Sequence, residues 1–277
     1  MKYPNVLYHY TSISTLAHIL ESKKIRFNRL DRVDDIEEGK AIDVNNISSF
    51  IYVSCWTNKK YESIPLWNMY TPNMKGVRIE LPSFPFVFYR KDENNYQPCT
   101  RDELTDVDIV YPGDKVQFTK NAVNCSTYII PAHNFLLPVD YVSKKQYYKN
   151  EYILDYEDSL DINNIKIGTT KINFWSFQKE WRYIVFFFPE VLFSAMETIN
   201  RSEHIKKTCK AIEDTSNDIS FFDMEIANKY LDKMIIMLGP KTDDSDIIIV
   251  ESLIDKYNRK YNTNIKIEFS EHYGKIR

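Results

Sequence analysis

The largely apolar and aromatic run over residues 6–10 reads as a short strand, and a helical period follows it. Ile13, Leu16, Ala17 and Leu20 stand at i, i+3, i+4 and i+7, which predicts a helix capped by Thr11 or Ser12. Residues 24–30 read as a second strand, residues 31–39 as a polar acidic loop and residues 50–56 as a third strand. A short helix or turn carrying Trp67 and Tyr70 follows, and Gly76 introduces a strand over 77–81. From about 82 to 170 no period holds. Pro, Asn and Asp are frequent there, so this stretch is expected to be an insertion of mixed structure, with amphipathic aromatic segments over 147–156. A strand over 181–188 comes next, then mostly helix to residue 230.

The end of the chain reads more sharply. Residues 234–238 form an apolar strand, Gly239-Pro240-Lys241 a turn, and Asp244 or Ser245 caps a helix whose apolar positions are Ile247, Val250, Ile254 and Tyr257. Residues 265–269 close the unit as a strand. A strand–helix–strand order implies a right-handed crossover, so these two strands are expected to be parallel. With no internal repeat and no low-complexity linker, residues 1–277 are expected to form one α+β domain with a central mixed sheet flanked by helices.

Composition narrows the choice of chemistry. A chain of 277 residues with 43% hydrophobic and 14% aromatic content can bury a sizeable core. The net charge of -3 gives no global basic field, so any nucleic-acid contact must rest on a local patch. No apolar run reaches the roughly 18 residues of a membrane span. Met1-Lys2-Tyr3-Pro4 lacks the apolar region of a signal peptide, so a cytoplasmic location without membrane contact is the expectation. The four cysteines (55, 99, 125, 209) form no CxxC pair, which argues against structural zinc or a disulfide scaffold. Six glycines, at 39, 76, 113, 168, 239 and 274, cannot supply GxGxxG or GxxxxGK, so a Rossmann crevice and a P-loop are both excluded.

The densest candidate chemistry is Gln178-Lys179-Glu180-Trp181-Arg182, running into an apolar strand. An amide and a carboxylate two apart in a strand share a face, which sets a fixed acid beside a neutral hydrogen-bonding group. Glu180 and Arg182 also share a face, and a structural ion pair is the competing explanation for them. His9, at the end of the first strand, can donate to a ribose hydroxyl while the backbone orients its other nitrogen, or can simply pack against the first helix. Ser54 is a weaker signal, since a lone strand serine usually satisfies a local hydrogen bond. Trp67 and Tyr70, three apart, can stack on a ring or lie in the core. Asp34, Asp35, Glu37 and Glu38 could hold a divalent ion or form a solvated loop.

Taken in order, these pieces resemble a bacterial family described only as a domain of unknown function. The shared features are a YHYTS-like strand and helix (here residues 8–20), a basic-aromatic strand (Ile25, Arg26, Phe27) and an acidic loop (Asp34, Asp35, Glu37). A VSCW strand with an LW..MY segment (53–56, 66–70), a GV.IE strand, an ExEWR segment and a GPK turn complete the set. This chain departs from the pattern in having Gln178 where a first Glu is expected. The set in turn is similar to the ADP-ribosyltransferase superfamily. That resemblance implies an ADP-ribosyltransferase-like fold that takes NAD as substrate. His9 would hold the nicotinamide ribose, Ser54 would lie beneath the nicotinamide, and Tyr10, Trp67 or Tyr70 would stack on its ring. Arg182 would assist NAD binding, Glu180 would be the catalytic carboxylate, and Gln178 would face the acceptor. No metal is required. A neutral Gln178 disfavours an arginine acceptor and leaves another protein group, a nucleic acid or water; an antitoxin or other defence-system partner fits a toxin or phage-defence role. Two rivals are a metal-dependent nuclease built on Asp34, Asp35, Glu37 and Lys241, and a non-catalytic nucleotide-sensing module.

Overall fold

The computed structural model describes residues 2–40, 45–92, 95–105, 109–110, 125–127, 130–131, 135–149, 153–156, 159–162, 164–189, 203, 209–210, 212–214 and 217–277. Its frame is a 10-stranded sheet. In chain order the strands are β1 (Val6–Thr11), β2 (Lys24–Arg29), β3 (Ile51–Thr57), β4 (Val77–Pro82) and β5 (Cys125–Thr127). They continue with β6 (Leu136–Pro138), β7 (Glu180–Pro189), β8 (Phe221–Glu225), β9 (Ile235–Leu238) and β10 (Lys266–Phe269). The spatial order is β6-β7-β3-β1-β4-β9-β10, with β2 also on β3, β8 beside β2, and β5 on the far end of β7. Every pair is antiparallel except β9 and β10, which run parallel as the closing crossover predicts. The sheet is therefore mixed, and the chain is α+β.

Helices α1 (Ile13–Ser22), α2 (Ile64–Tyr70) and α3 (Asp244–Tyr261) pack against it. Ser12 caps α1 by accepting from the Thr15 amide, and Asp243 caps α3 in a reciprocal box with Asp246. Leu16, Ile19 and Leu20 of α1 and Val250, Ile254 and Tyr257 of α3 join one large core with Leu7, Ile79 and Ile236. On the opposite sheet face, Leu66 and Trp67 of α2 pack with Tyr10 and Met237 in a separate small cluster. Strand alternation separates the two sets, since Tyr10 pairs with Arg78 and Arg78 with Met237, whereas His9 pairs with Ile79 and Ile79 with Ile236.

Two expectations need correction. The stretch expected to be helical up to residue 230 contains β8, which pairs along β2 from Phe221–Asn28 to Glu225–Lys24. The reason was visible in Phe221, Asp223 and Glu225 alternating with Phe222 and Met224, a two-residue period read as helix. Residues 190–202, 204–208, 211 and 215–216 of that stretch lie outside the described residues. The 82–170 stretch is also not wholly an insertion, because β6 pairs with Trp181–Tyr183 and Phe135 enters the main core.

The site depends on one irregularity. Along the edge of β3 opposite β7, β1 pairs only at Tyr8–Thr57, and β2 pairs only at Asn28–Val53 and Arg29–Tyr52. No strand faces Ser54, Cys55 and Trp56 on that edge, among the described residues. The sheet opens there into a cleft.

Candidate active site

His9 fills part of the gap that the diverging strands leave. Its Nδ1 lies 2.9 Å from the Cys55 carbonyl oxygen. A carbonyl only accepts, so Nδ1 carries the proton and Nε2 presents a lone pair. The expectation that His9 donates to a ribose hydroxyl is thereby reversed: its free nitrogen accepts. Enclosure of the ring lowers its pKa from the ordinary 6.5, which favours this neutral tautomer near neutral pH. The ring also leans on Trp56, with centroids 5.0 Å apart.

Glu180 approaches from the other sheet face. It pairs with Thr57, as Tyr8 does, whereas His9 and Ser54 occupy the alternate positions. Gln178 and Glu180 do not alternate along a strand as expected. Gln178 ends a 3-10 helix (Asn173–Gln178), Lys179 turns through a left-handed φ of 45°, and β7 begins at Glu180. The two side chains converge because one lysine holds both. Lys171 Nζ donates to Gln178 Oε1 at 2.9 Å and to Glu180 Oε2 at 3.3 Å. The Glu180 backbone is fixed as well, its N–H donating to the Tyr141 hydroxyl at 2.9 Å and its carbonyl accepting from Val139 at 2.9 Å.

Around this carboxylate sits a buried four-charge cluster. Arg182 Nε donates to Glu180 Oε1 at 2.7 Å, and its Nη2 to Glu180 Oε2 at 3.2 Å. Arg182 Nη1 bonds Glu38 and the Gly168 carbonyl, while Lys171 lies 3.3 Å from Glu38 Oε2. Two acids and two bases balance. Burial acts to raise the Glu180 pKa, but Arg182 and Lys171 outweigh it and hold the carboxyl at about 2, so Glu180 is ionised. The Cys55 thiol bonds the same carboxylate and is pushed up by burial and then by Glu180, so it stays protonated.

This arrangement corrects two further assignments. Arg182, expected to contact a cofactor, is fully buried with its donors turned to Glu180, Glu38 and Gly168; it positions the carboxylate instead. Trp67 is fully buried too, donates to Glu62 at 2.8 Å and packs edge-on against Tyr10 at 4.8 Å, so it cannot stack on a ligand. Tyr10 and Tyr70 do line the cleft. The Tyr70 hydroxyl donates to Asp34 and accepts from Gln178 Nε2 at 2.6 Å. Ser54 Oγ accepts from the Trp56 indole at 3.0 Å and keeps its own proton to donate.

Two cavities meet here. A small, largely apolar one of about 80 Å³ is lined by Tyr8, Tyr10, Trp56, Leu66 and Tyr70, together with Gln178 and Glu180. A larger one of about 550 Å³ takes in His9, Ser54, Cys55, Tyr70 and Glu180 and runs out between α1 and β2. That volume falls in the roughly 300–1,000 Å³ range of small-molecule sites. His9, Ser54 and Glu180 thus line one cavity although they come from β1, β3 and β7.

No family model, curated protein sequence or solved structure matches this chain.

Sequence reasoning missed Lys171, Glu38 as an inward-facing acid, Tyr141 and Cys55. Lys171 sits in Thr170–Ile172, a buried three-residue strand at the end of the stretch set aside as an insertion. Glu38 is one of four acids in its loop, and only its neighbour marks it. Gly39 has φ 73°, and a Cβ there would lie 2.8 Å from Ser48, so the chain turns inward at this point. The remaining acids go elsewhere: Glu37 pairs with Lys40 and Asp34 bonds Tyr70. Among the described residues, no group of three His, Cys, Asp or Glu is arranged to hold a metal ion. No helix among them is long and apolar enough to cross a membrane.

Proposed function

We propose that the cleft binds NAD and cleaves its nicotinamide–ribose bond, in the manner of an ADP-ribosyltransferase. The observation that carries this reading is the convergence of His9, Ser54 and Glu180 on one cavity. Heterolysis sends the bonding electron pair to the nicotinamide nitrogen and leaves positive charge on the ribose ring. An ionised carboxylate facing that charge lowers the barrier, as in glycoside hydrolysis. Glu180 is ionised, fixed by side-chain and backbone bonds, and open to both cavities. His9 Nε2 would accept from a ribose hydroxyl, and Ser54 would donate to the nicotinamide amide. The small cavity is tighter than the roughly 150 Å³ that holds a benzene ring. The pyridine ring would therefore bridge the two cavities beside Tyr10 and Tyr70.

Gln178 bears on the acceptor. Lys171 has only donors, so the Gln178 carbonyl faces it and the amide NH₂ faces Tyr70. A second amide hydrogen remains for an acceptor molecule that offers a lone pair. This fits a carbonyl, a hydroxyl, a nucleobase or water, and disfavours a guanidinium. The reading extends to an effector acting on a protein or nucleic acid, with an antitoxin or defence-system partner.

The test is nicotinamide release from NAD by the wild type and by Glu180→Gln, with circular dichroism to check folding. Loss of release in a folded variant supports the reading; unchanged release overturns it. The neutralisation of Glu180 by Arg182 and Lys171 favours a second reading, a nucleotide sensor that binds in the same cleft without turnover. NAD binding by the wild type with no release of nicotinamide would select it.

A further inference from the structure

One acid on the cleft wall stands apart from the charge cluster around Glu180. Among the described residues, the carboxylates lining the larger cavity are Asp34, Glu180 and Asp223. Arg26 neutralises Asp223, and Arg182 and Lys171 neutralise Glu180. Asp34 meets no cation within ion-pair distance among the described residues. Its partner is the Tyr70 hydroxyl, which burial and then Asp34 itself keep protonated. The carboxylate accepts that one bond and has further lone pairs to offer the cavity. The loop carrying Asp34 is anchored beyond it, where Asp35 Oδ1 accepts from the Glu37 N–H at 3.0 Å and Glu38 bonds Arg182. The Tyr70 hydroxyl also accepts from Gln178 Nε2 at 2.6 Å, and Lys171 ties Gln178 to Glu180. Two groups bonded to one hydroxyl oxygen stand within roughly 5–6 Å of each other, a gap that a second oxygen can bridge with ordinary hydrogen bonds. Such an oxygen would accept the remaining Gln178 amide hydrogen and donate its own proton to Asp34.

We propose that Asp34 is the general base that takes the proton of an acceptor hydroxyl or water. The proposal rests on the NAD reading and supplies a group which that reading lacks. Gln178 is a neutral amide, and Glu180 is held by two cations and faces the ribose. As nicotinamide leaves with the electron pair of the C–N bond, a lone pair of the acceptor oxygen forms the new bond to the ribose carbon. The proton of that oxygen passes to an Asp34 carboxylate oxygen and then to solvent. With water as acceptor the products are nicotinamide, ADP-ribose and one proton, so atoms and charge balance. His9 also lines the cavity, but its Nε2 takes the ribose hydroxyl in the NAD reading. His18, on the α1 wall, has no link to Gln178 among the described residues.

The experiment measures kcat and KM for nicotinamide release from NAD by the wild type, Asp34→Asn and Asp34→Ala, each with and without sodium azide, with circular dichroism to check folding. Asp34→Asn should lower kcat at least about 100-fold, the low end of general-base catalysis, while KM stays within about threefold. Azide attacks without a proton to lose and fits the space left by the shorter side chain. It should therefore raise release by folded Asp34→Ala at least about tenfold and yield ADP-ribosyl azide, with little effect on the wild type. Wild-type kcat in Asp34→Asn overturns the proposal. Slowed release that azide does not raise also overturns it, because Asp34 would then only support the structure, and so does a raised KM with kcat unchanged, because Asp34 would then only bind NAD. Each of these results with an active wild type leaves the NAD reading standing. A wild type that releases no nicotinamide overturns the NAD reading, and the general base falls with it.

Discussion

Glu180 carries a charge that two neighbouring cations already neutralise, so its replacement tests two roles at once. Under the proposed chemistry, Glu180→Gln should lower nicotinamide release by at least about 100-fold, the order seen when one transition-state electrostatic partner is removed. Because the carboxyl is held at about 2, it stays ionised throughout the usual assay range. An acid limb in the rate between pH 5 and 8 should then come from another group. His9 is the candidate. Its folded pKa lies below the ordinary 6.5, so the unfolded chain takes up the proton first. The stability it contributes is complete above 6.5 and is lost as pH falls below that value. His9→Phe should flatten this dependence, measured as the urea midpoint at about pH 7.5 and about pH 5.5; an unchanged slope would show that His9 is not its source.

Among the elements, the turn into β7 is the most exacting. Lys179 adopts φ 45°, a conformation that costs a residue with a Cβ roughly 1–2 kcal/mol. Lys179→Gly should keep the fold and any activity, whereas Lys179→Val should destabilise and displace Gln178 and Glu180, read by thermal melting and nicotinamide release together. The charge cluster makes a sharper prediction. Arg182→Met leaves Glu38 and Glu180 buried with only Lys171 between them, and should cost roughly 3–5 kcal/mol in urea unfolding. Lys171→Met combined with Glu38→Gln removes one charge of each sign and should cost less than Arg182→Met alone. These positions also mark how far the sequence could be read. Helical spacing of apolar residues located α1 and α3, and β3, β4 and β9 were legible as short apolar runs because they are buried on both faces. Pattern alone could not show that Thr170–Ile172 would deliver Lys171 to Glu180, since a three-residue strand is too short to display a period. Nor could it separate Trp67 from Tyr70: spacing places both on one helix face, and only packing reveals that Tyr10 covers the first.

For the molecule as a whole, folding links groups that titrate in different ranges. Glu180 drops from the ordinary 4.5 to about 2, so the stability it adds is present above 4.5 and is lost as pH falls toward 2. Together with His9, this predicts a stability profile that declines in two stages on acidification, one beginning near 6.5 and one near 4.5. A urea-midpoint series across that range that shows no change would refute both assignments. The single-domain α+β arrangement was legible because strand and helix periods alternate along the chain. The cleft was not. It arises where β1 and β2 part company along β3, a fact of register that no local pattern contains.

That parting has a practical consequence. A guest lodged between β1 and β2 would act as a keystone, tying two arms of the sheet that the protein itself joins only at their roots. At about 100 times its dissociation constant, such a guest would add about 2.7 kcal/mol to the folded state, easily seen as a raised melting point. A thermal-shift screen of small nucleotides would therefore reveal the natural occupant even if the chain performs no chemistry on it.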